Sequence, residues 1–285
     1  MATDKLIVHL PSDGVGPNRV LFIDLSYFVF YRYYAVLGWY RKSLDGESVS
    51  VCDLMQDETF VEKYKKLFER ELCRLVKVYK IDSWNRVFLI KDCCREDIWR
   101  NELYPEYKST RVDKTDSFNR DVFKMTYNQL LPVLLEKLGF NVFCHPRLEA
   151  DDIIALMCKG VLEVDRNAHV VVITNDNDYV QLDGVELKNL QGKDLAVRVG
   201  CVDAGRYLKQ KIILGDKSDN IPSIMKKVGP KTAEKLVASQ EQFDAFMRKH
   251  PEALRHYELN RRLMDFDCIP DHLKEELRAR IEYKI

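Results

Sequence analysis

The sequence has no net charge: across 285 residues, 45 Lys and Arg balance 45 Asp and Glu. That balance removes any argument from bulk charge, but it leaves nucleic acid open, because phosphate responds to local patches and not to the sum. No apolar run is longer than a strand, which excludes a helical membrane span. The start, MATDKLIVHLPSDG, meets Pro11 too soon for a secretory signal, so an intracellular protein is expected. None of the 8 cysteines stands in a CxxC pair, which argues against a zinc ribbon. They read as reduced thiols, most of them in the core, with the adjacent Cys93 and Cys94 the pair most open to oxidation. There is no G-x-x-x-x-G-K-S/T phosphate loop, no internal repeat and no low-complexity tract. The lone GxG in SDGVGPN (12–18) reads as a turn.

Hydrophobic residues make up 46% of the chain, enough for a core in one large domain or a main domain with a smaller companion. RVLFIDLS (19–26), NRVFLIKD (85–92), FNVFCH (140–145) and HVVVITNDND (169–178) are strand candidates. Between them, residues 58–80, 118–139 and 150–163 carry apolar residues at helical spacing; Pro132 is expected to kink the second and Gly139 to end it. The alternation predicts an α/β fold with a mostly parallel sheet flanked by helices. From about residue 203 the pattern becomes helical, through AGRYLKQKIILGDKSDN, GPKTAEKLVAS, EQFDAFMRKH and YELNRRLMDFD. STRVDKTDS (109–117) is the most loop-like stretch.

Acids gather where this fold would put a ligand, beyond the carboxyl ends of the strands. Asp24, Asp92 and Asp176 sit at or just after predicted strand ends, and Asp178 follows closely. LEADDIIALM brings Glu149, Asp151 and Asp152 to a helix start, and LGDKSDN adds Asp216 and Asp219. A helix N-terminus relieves some repulsion at one cluster. It leaves the others unexplained, because crowded carboxylates raise each other's pKa. A hard divalent cation resolves the crowding, which points to Mg²⁺, or Mn²⁺ in its place, shared with substrate phosphates. Two such ions about 4 Å apart would clamp both oxygens of a phosphodiester.

Basic residues lie beside these acids. DCCREDIWRNELYPEYKSTR (92–111) interleaves Arg95, Arg100, Lys108 and Arg111 with Trp99, Tyr104 and Tyr107, a mixture that suits phosphates and unpaired bases. KKVGPKTAEKLV (226–237) puts Gly229 before a helix start with Lys231 and Thr232 in its first turn, and Lys226, Lys227 and Lys235 nearby, an anion pocket at exposed amides.

Taken in order, these pieces resemble the 5′ nuclease family of flap endonucleases, phage 5′-exonucleases and the 5′-nuclease domain of DNA polymerase I. FIDLS is similar to the first acidic motif, and the R-x-x-x-YPEYK-x-x-R stretch to the second. EADD and TNDNDYVQL resemble the third and fourth, and GDKSDNIP with VGPKTAEKL the fifth and a helix–three-turn–helix. The resemblance spans roughly residues 20 to 270. It implies a PIN-like catalytic domain over 1–202 with a helical arch at about 93–125, and a helix–three-turn–helix DNA-binding subdomain over 203–285. The implied activity is metal-dependent 5′-3′ exonuclease and flap endonuclease cleavage of DNA 5′ ends, flaps and nicks, and of RNA primers in hybrids. A monomer working with replication proteins is expected, with no membrane. Asp24, Asp92, Glu149, Asp151, Asp152 and Asp176 are expected around one metal, and Asp178, Asp216 and Asp219 around a second. Lys108 and Arg111, with Arg100 and Tyr107, are expected at the scissile phosphate. Arg95, Lys226, Lys227, Gly229, Lys231, Thr232 and Lys235 are expected on DNA, with a K⁺ ion in the helical loop. One departure is visible: family members commonly read G-V-x-G-I-G after DNIP, whereas this chain reads SIMKKVG, with Ser223 and Lys226 or Lys227 in glycine places.

Two other readings stay open. One is a ribonuclease acting on structured RNA, and the other a non-catalytic DNA-binding clamp. A phosphatase using Asp24 as nucleophile would want D-x-D, and the sequence reads D-L-S.

Overall fold

The computed structural model describes residues 5–10, 18–43, 50–111, 118–201 and 203–284. Through its first half the chain forms β1 (Leu6–His9), β2 (Arg19–Asp24), α1 (Leu25–Ser43), α2 (Glu58–Val78), β3 (Val87–Ile90), α3 (Asp121–Met125), α4 (Leu131–Leu138) and β4 (Asn141–Phe143). It continues through α5 (Ala150–Val164), β5 (His169–Ile173), β6 (Val185–Lys188), α6 (Leu195–Arg198), α7 (Ala204–Leu214) and α8 (Pro230–Ala238). The described chain closes with α9 (Gln240–Lys249), α10 (Pro251–Met264), α11 (Asp271–Ala279) and β7 (Ile281–Lys284).

Five strands form a fully parallel sheet in the order β4-β3-β2-β5-β6. Parallel strands are buried on both faces, so alternate residues feed two cores. Val20, Phe22, Val170 and Val172 face α5, while Leu21, Ile23, Val171 and Ile173 face α1, α2 and α4. On α2, Asp57 caps the N-terminus by accepting from the Phe60 N–H at 2.8 Å, and Phe60, Tyr64, Phe68 and Leu72 form its buried stripe. A third core, with Ile213, Ile224, Leu236 and Phe243, holds α7–α10 together.

Several expectations change on folding. The strand expected over 19–26 ends at Asp24, and α1, a 19-residue helix, begins at the next residue. The helix expected over 118–139 is broken by a π-turn, Thr126–Leu130. Pro132 lacks an N–H, and its ring would strike the carbonyl one turn earlier, so a widened turn there fits the sequence. Gly139 ends α4 with φ +80° as expected. The segment after residue 203 does not stay together: Leu273 and Leu277 of α11 and Ile281 of β7 join α5 in the first core, and β7 pairs with β1. Nor is the expected arch, about 93–125, α-helical through its first part, to residue 111. It makes two short 3₁₀ turns, Arg95–Asp97 and Trp99–Glu102, and packs Ile98 and Tyr107 on Ile212, Ile221 and Leu263 of the helical unit. Of the cysteines, only Cys158 is buried; Cys52, Cys73, Cys94 and Cys144 are exposed. The tip of the expected arch, 112–117, and most of the GxG turn, 12–17, lie outside the described residues. No helix among the described residues is long and apolar enough to cross a membrane.

Candidate metal centre

All five strands of the sheet point the same way, so their carboxyl ends share one edge. Asp24 closes β2, and Asp92 and Asp176 follow β3 and β5. Asp24 accepts from the Tyr27 N–H at 3.1 Å and the Thr174 hydroxyl at 3.2 Å. Burial, then the charges of Asp92 and Asp176, push its carboxyl up to about 7. Asp92 accepts from the Ser26 hydroxyl at 2.5 Å and the Ala150 N–H at 2.8 Å, which ties the end of β3 to the start of α5.

At that start, Glu149, Asp151 and Asp152 can offer oxygens within 4.8 Å of one another. Asp152 is fully buried and fully engaged. Arg100 donates to both of its oxygens, at 2.8 and 2.7 Å, and the Trp99 indole adds a third bond at 2.9 Å. Arg100 is 2% exposed, also donates to Glu149 at 3.0 Å and to the Leu263 carbonyl at 2.7 Å, and so joins the sheet edge to α10. Asp151 differs. It is half-buried, and burial followed by the charges of Asp152 and Glu149 pushes its carboxyl well above the usual range.

Lys108 bonds Glu149 and lies 3.7 Å from Asp219, while Arg111 also bonds Asp219. Burial alone would raise the Glu149 carboxyl, yet Lys108 and Arg100 together hold it below its ordinary value. The Tyr107 hydroxyl reaches Glu149 at 3.0 Å and Asp219 at 3.2 Å. Lys108 adopts φ +54°, an unusual conformation for a side-chain-bearing residue, held by its N–H donating to the Asp219 carbonyl at 2.9 Å. Arg95 is exposed and bonds the Lys108 carbonyl.

Asp178 and Asp216 meet across Lys211, which lies 3.1 Å from Asp216. Burial would raise the Asp216 carboxyl, but Lys211 and the Ser218 hydroxyl and N–H hold it down, at about 2. Gly215 makes this turn possible. Its φ is +72°, and a Cβ there would sit 2.3 Å from the Ile221 carbonyl oxygen.

The structure thus divides the nine expected ligands. Glu149, Asp152, Asp178, Asp216 and Asp219 each contact a protein cation. Among the described residues, Asp24, Asp92, Asp151 and Asp176 have no ion pair. The charges of these four reach the Tyr179 hydroxyl, which is buried without a hydrogen-bond partner among the described residues. After burial itself, their charges drive it well above its ordinary pKa. Crowded hard oxygen donors without a direct ion pair fit a hard divalent cation, although Lys211 lowers the Asp176 carboxyl against its burial.

Arg100 and Tyr107, expected at the scissile phosphate, lie beneath the carboxylates and position them. Trp99 and Tyr107 are 2% and 5% exposed, so they do not offer faces to bases. Lys108 and Arg111 do face a cleft of about 620 Å³, shared with Asp92, Phe118, Phe30 and Tyr34. Phe30 and Tyr34, one turn apart on α1 and about 40% exposed, were not singled out in the sequence, nor was Lys211. The aromatic run SYFVFYRYY was the available signal for the first two; Lys211 had none, since one of its partners, Asp178, comes from a distant part of the chain.

In the helical unit, Lys226, Lys227, Lys231 and Lys235 are exposed around the start of α8, with Gly229 at its N-cap and Thr232 in its first turn. Lys227 takes φ +70°, the conformation for which glycine is usual. The Pro222, Ile224 and Met225 carbonyls of this loop already accept from Asn260, His256 and Ser223 at 2.8, 3.0 and 3.0 Å.

Comparison with known proteins places these features in a family. The family profile described as 5′-3′ exonuclease, N-terminal resolvase-like domain, matches residues 19–203. DNA polymerase I of Treponema pallidum is 35% identical over 155 residues, covering 49% of this chain and 14% of the polymerase. A 5′-3′ exonuclease of Buchnera aphidicola is 25% identical over 232 residues, covering 77% of this chain and 70% of that protein. The chain thus spans a small part of the polymerases it matches. The flap endonuclease of bacteriophage T5, solved with DNA and metal ions, superposes with a TM-score of 0.62 at 17% identity, over 92% of this chain and 98% of that one. At that identity the likeness speaks for the fold.

Proposed function

Since the chain belongs to the 5′-3′ exonuclease family by its N-terminal resolvase-like domain, we propose that it is a divalent-metal-dependent nuclease that hydrolyses phosphodiesters near the 5′ ends of DNA. Flaps, nicks and RNA–DNA hybrids are its proposed substrates, in replication or repair. The observation that carries this reading is the set of four carboxylates, Asp24, Asp92, Asp151 and Asp176, that crowd one sheet edge without an ion pair among the described residues.

Asp24, Asp92, Asp151 and Asp176, with Glu149 at their border, would hold one ion. Asp178, Asp216 and Asp219 would serve a second, with Lys211 giving way. Mg²⁺ is the expected ion, with Mn²⁺ able to replace it. Such ions supply Lewis-acid stabilisation of a phosphoryl oxygen and lower the pKa of bound water. The chain's own residues orient the substrate. Lys108 and Arg111 face the cleft and meet the phosphate backbone there, while Arg100 and Tyr107 fix Glu149, Asp152 and Asp219 from below. Lys226, Lys227, Lys231, Thr232 and Lys235 meet duplex phosphates at the start of α8.

The test is cleavage of a 5′-labelled flap duplex with Mg²⁺ and with EDTA, by wild type and Asp151→Asn. Short 5′ products with Mg²⁺ and wild type alone support the reading. Binding without products in Mg²⁺ and Mn²⁺ would contradict it and favour the non-catalytic clamp.

A further inference from the structure

Asp176 caps a 3₁₀ turn, Asn177–Gln181, by accepting from the Asp178 N–H at 2.9 Å, and Asn175 and Asn177 alternate with the two acids along this short 175–178 loop and turn. Both asparagines are held by one side chain. Arg198 donates to the Asn175 and Asn177 side-chain oxygens and, at 3.1 Å, to the Asn175 carbonyl. The base of this fork is fixed. Arg198 ends α6, whose Leu195 is fully buried in the main core. The α6 N-cap, Asp194, accepts from the Val197 N–H at 3.0 Å and from Lys188 of β6 at 3.1 Å. On the other side of the loop, Thr174 and Tyr179 are fully buried. The four residues between them are therefore pinned at both ends by the core and from the solvent side by Arg198. Asn175, Asp176 and Asn177 line one cleft of about 410 Å³ with Asp24, Lys211 and Asp216.

We propose that Arg198 is a positioning residue for the proposed divalent-cation site: its guanidinium clamps the 175–178 loop through Asn175 and Asn177, and so sets where Asp176 and Asp178 present their oxygens. The inference rests on reading the acidic edge as a metal centre. A planar fork suits the task, because one guanidinium can hold several oxygens of a loop at once and a lysine ammonium cannot do so in the same geometry.

Charge and clamping predict opposite signs. Arg198 is a cation near anionic ligands, so its charge alone opposes a second cation, and removing it would tighten metal binding. Loss of a clamp loosens the ligands and weakens binding, by roughly ten- to a hundredfold for partners that orient metal ligands.

Mn²⁺ binding to the full chain without DNA, read from the free Mn²⁺ signal by electron paramagnetic resonance, separates the two. Wild type is expected to bind Mn²⁺, and Arg198→Ala to bind it about tenfold more weakly at one site. Arg198→Lys, which keeps the charge, is expected to weaken it as well. The double variant Asn175→Ala with Asn177→Ala leaves Arg198 in place, is expected to show the same loss, and keeps the test decisive if Arg198→Ala folds poorly. Unchanged affinity in the asparagine variant, or tighter binding in Arg198→Ala, would overturn the clamp. No Mn²⁺ binding by wild type would instead remove the metal reading on which it rests.

Discussion

Asp151 and Asp152 are consecutive residues on the first turn of α5, yet their carboxylates meet different surroundings. Asp152 is fully buried and takes two guanidinium bonds from Arg100 and one from Trp99. Asp151 is half-buried and has acids for neighbours. The same contrast divides the whole site. Glu149, Asp152 and Asp219 are matched by Arg100, Lys108 and Arg111. Asp24, Asp92, Asp151 and Asp176 form no direct ion pair among the described residues, although Lys211 acts on Asp176 and Arg100 on Asp151 from further off. Carboxylates of the first kind have their charge already answered and brace 92–111 and the helical unit against the sheet, so Glu149 and Asp219 would reach a metal only as their cations give way. Of the second kind, Asp24, Asp151 and Asp176 sit where burial and neighbouring acids raise their carboxyls, and they make sense as ligands.

The contrast can be broken from either side. The largest effect is expected from Arg100→Ala, which leaves Asp152 buried and uncompensated. It should destabilise the fold by about 3–5 kcal/mol, visible in thermal or urea unfolding. Asp151→Asn should do the reverse. It should remove cleavage by on the order of 10³-fold, as loss of a preorganised electrostatic element does. Thermal stability without metal should meanwhile hold or rise, since a repelling charge is gone. If Asp151→Asn unfolds as readily as Arg100→Ala, the division fails.

A pH series sharpens the same point. Burial and the neighbouring acids push the Asp24 carboxyl up to about 7, against about 3.9 in an unfolded chain. Between those values the folded protein keeps a proton that the unfolded chain has lost. Asp24's contribution to stability in EDTA should therefore be lost as pH rises from about 4 to 7, and flatten above, a slope that Asp24→Asn removes. Saturating Mn²⁺ replaces the proton and should remove that slope in melting curves. The smallest effect concerns Lys227, held at φ +70°. A left-handed conformation costs an L-residue roughly 1–2 kcal/mol, partly offset by glycine's greater freedom when unfolded. Lys227→Gly should thus stabilise by about 1 kcal/mol or less, measured by denaturant midpoint.

Much of this was legible in the sequence because it depends on local rules. Short apolar runs ending in Asp gave β2, β3 and β5, and parallel strands necessarily bring Asp24, Asp92 and Asp176 to one edge. Gly139 and the cap of α5 follow from backbone rules alone. The failures are also physical. α1 is aromatic on most of its faces, because it packs against the sheet and α2 while exposing Phe30, Tyr34 and Trp39, so no clean apolar stripe marks it as a helix. β6 (VELK) and β7 (IEYK) mix charged with apolar residues over four positions, whereas β3, equally short, is an unbroken apolar run. The burial of Arg100 and the placing of Lys211 between Asp178 and Asp216 depend on segments far apart in the chain, and no spacing rule anticipates them. The identity of the acids could be read from the chain; their division into compensated and uncompensated sets needed the fold.

The most direct measurement of that division is anomalous X-ray scattering from crystals of the protein containing Mn²⁺. The account predicts a Mn²⁺ peak in contact with Asp151 and at least one of Asp24, Asp92 and Asp176, with Arg100 still bound to Asp152. A Mn²⁺ ion that displaces Arg100 and binds Asp152, while the open carboxylates stay unliganded, would contradict it.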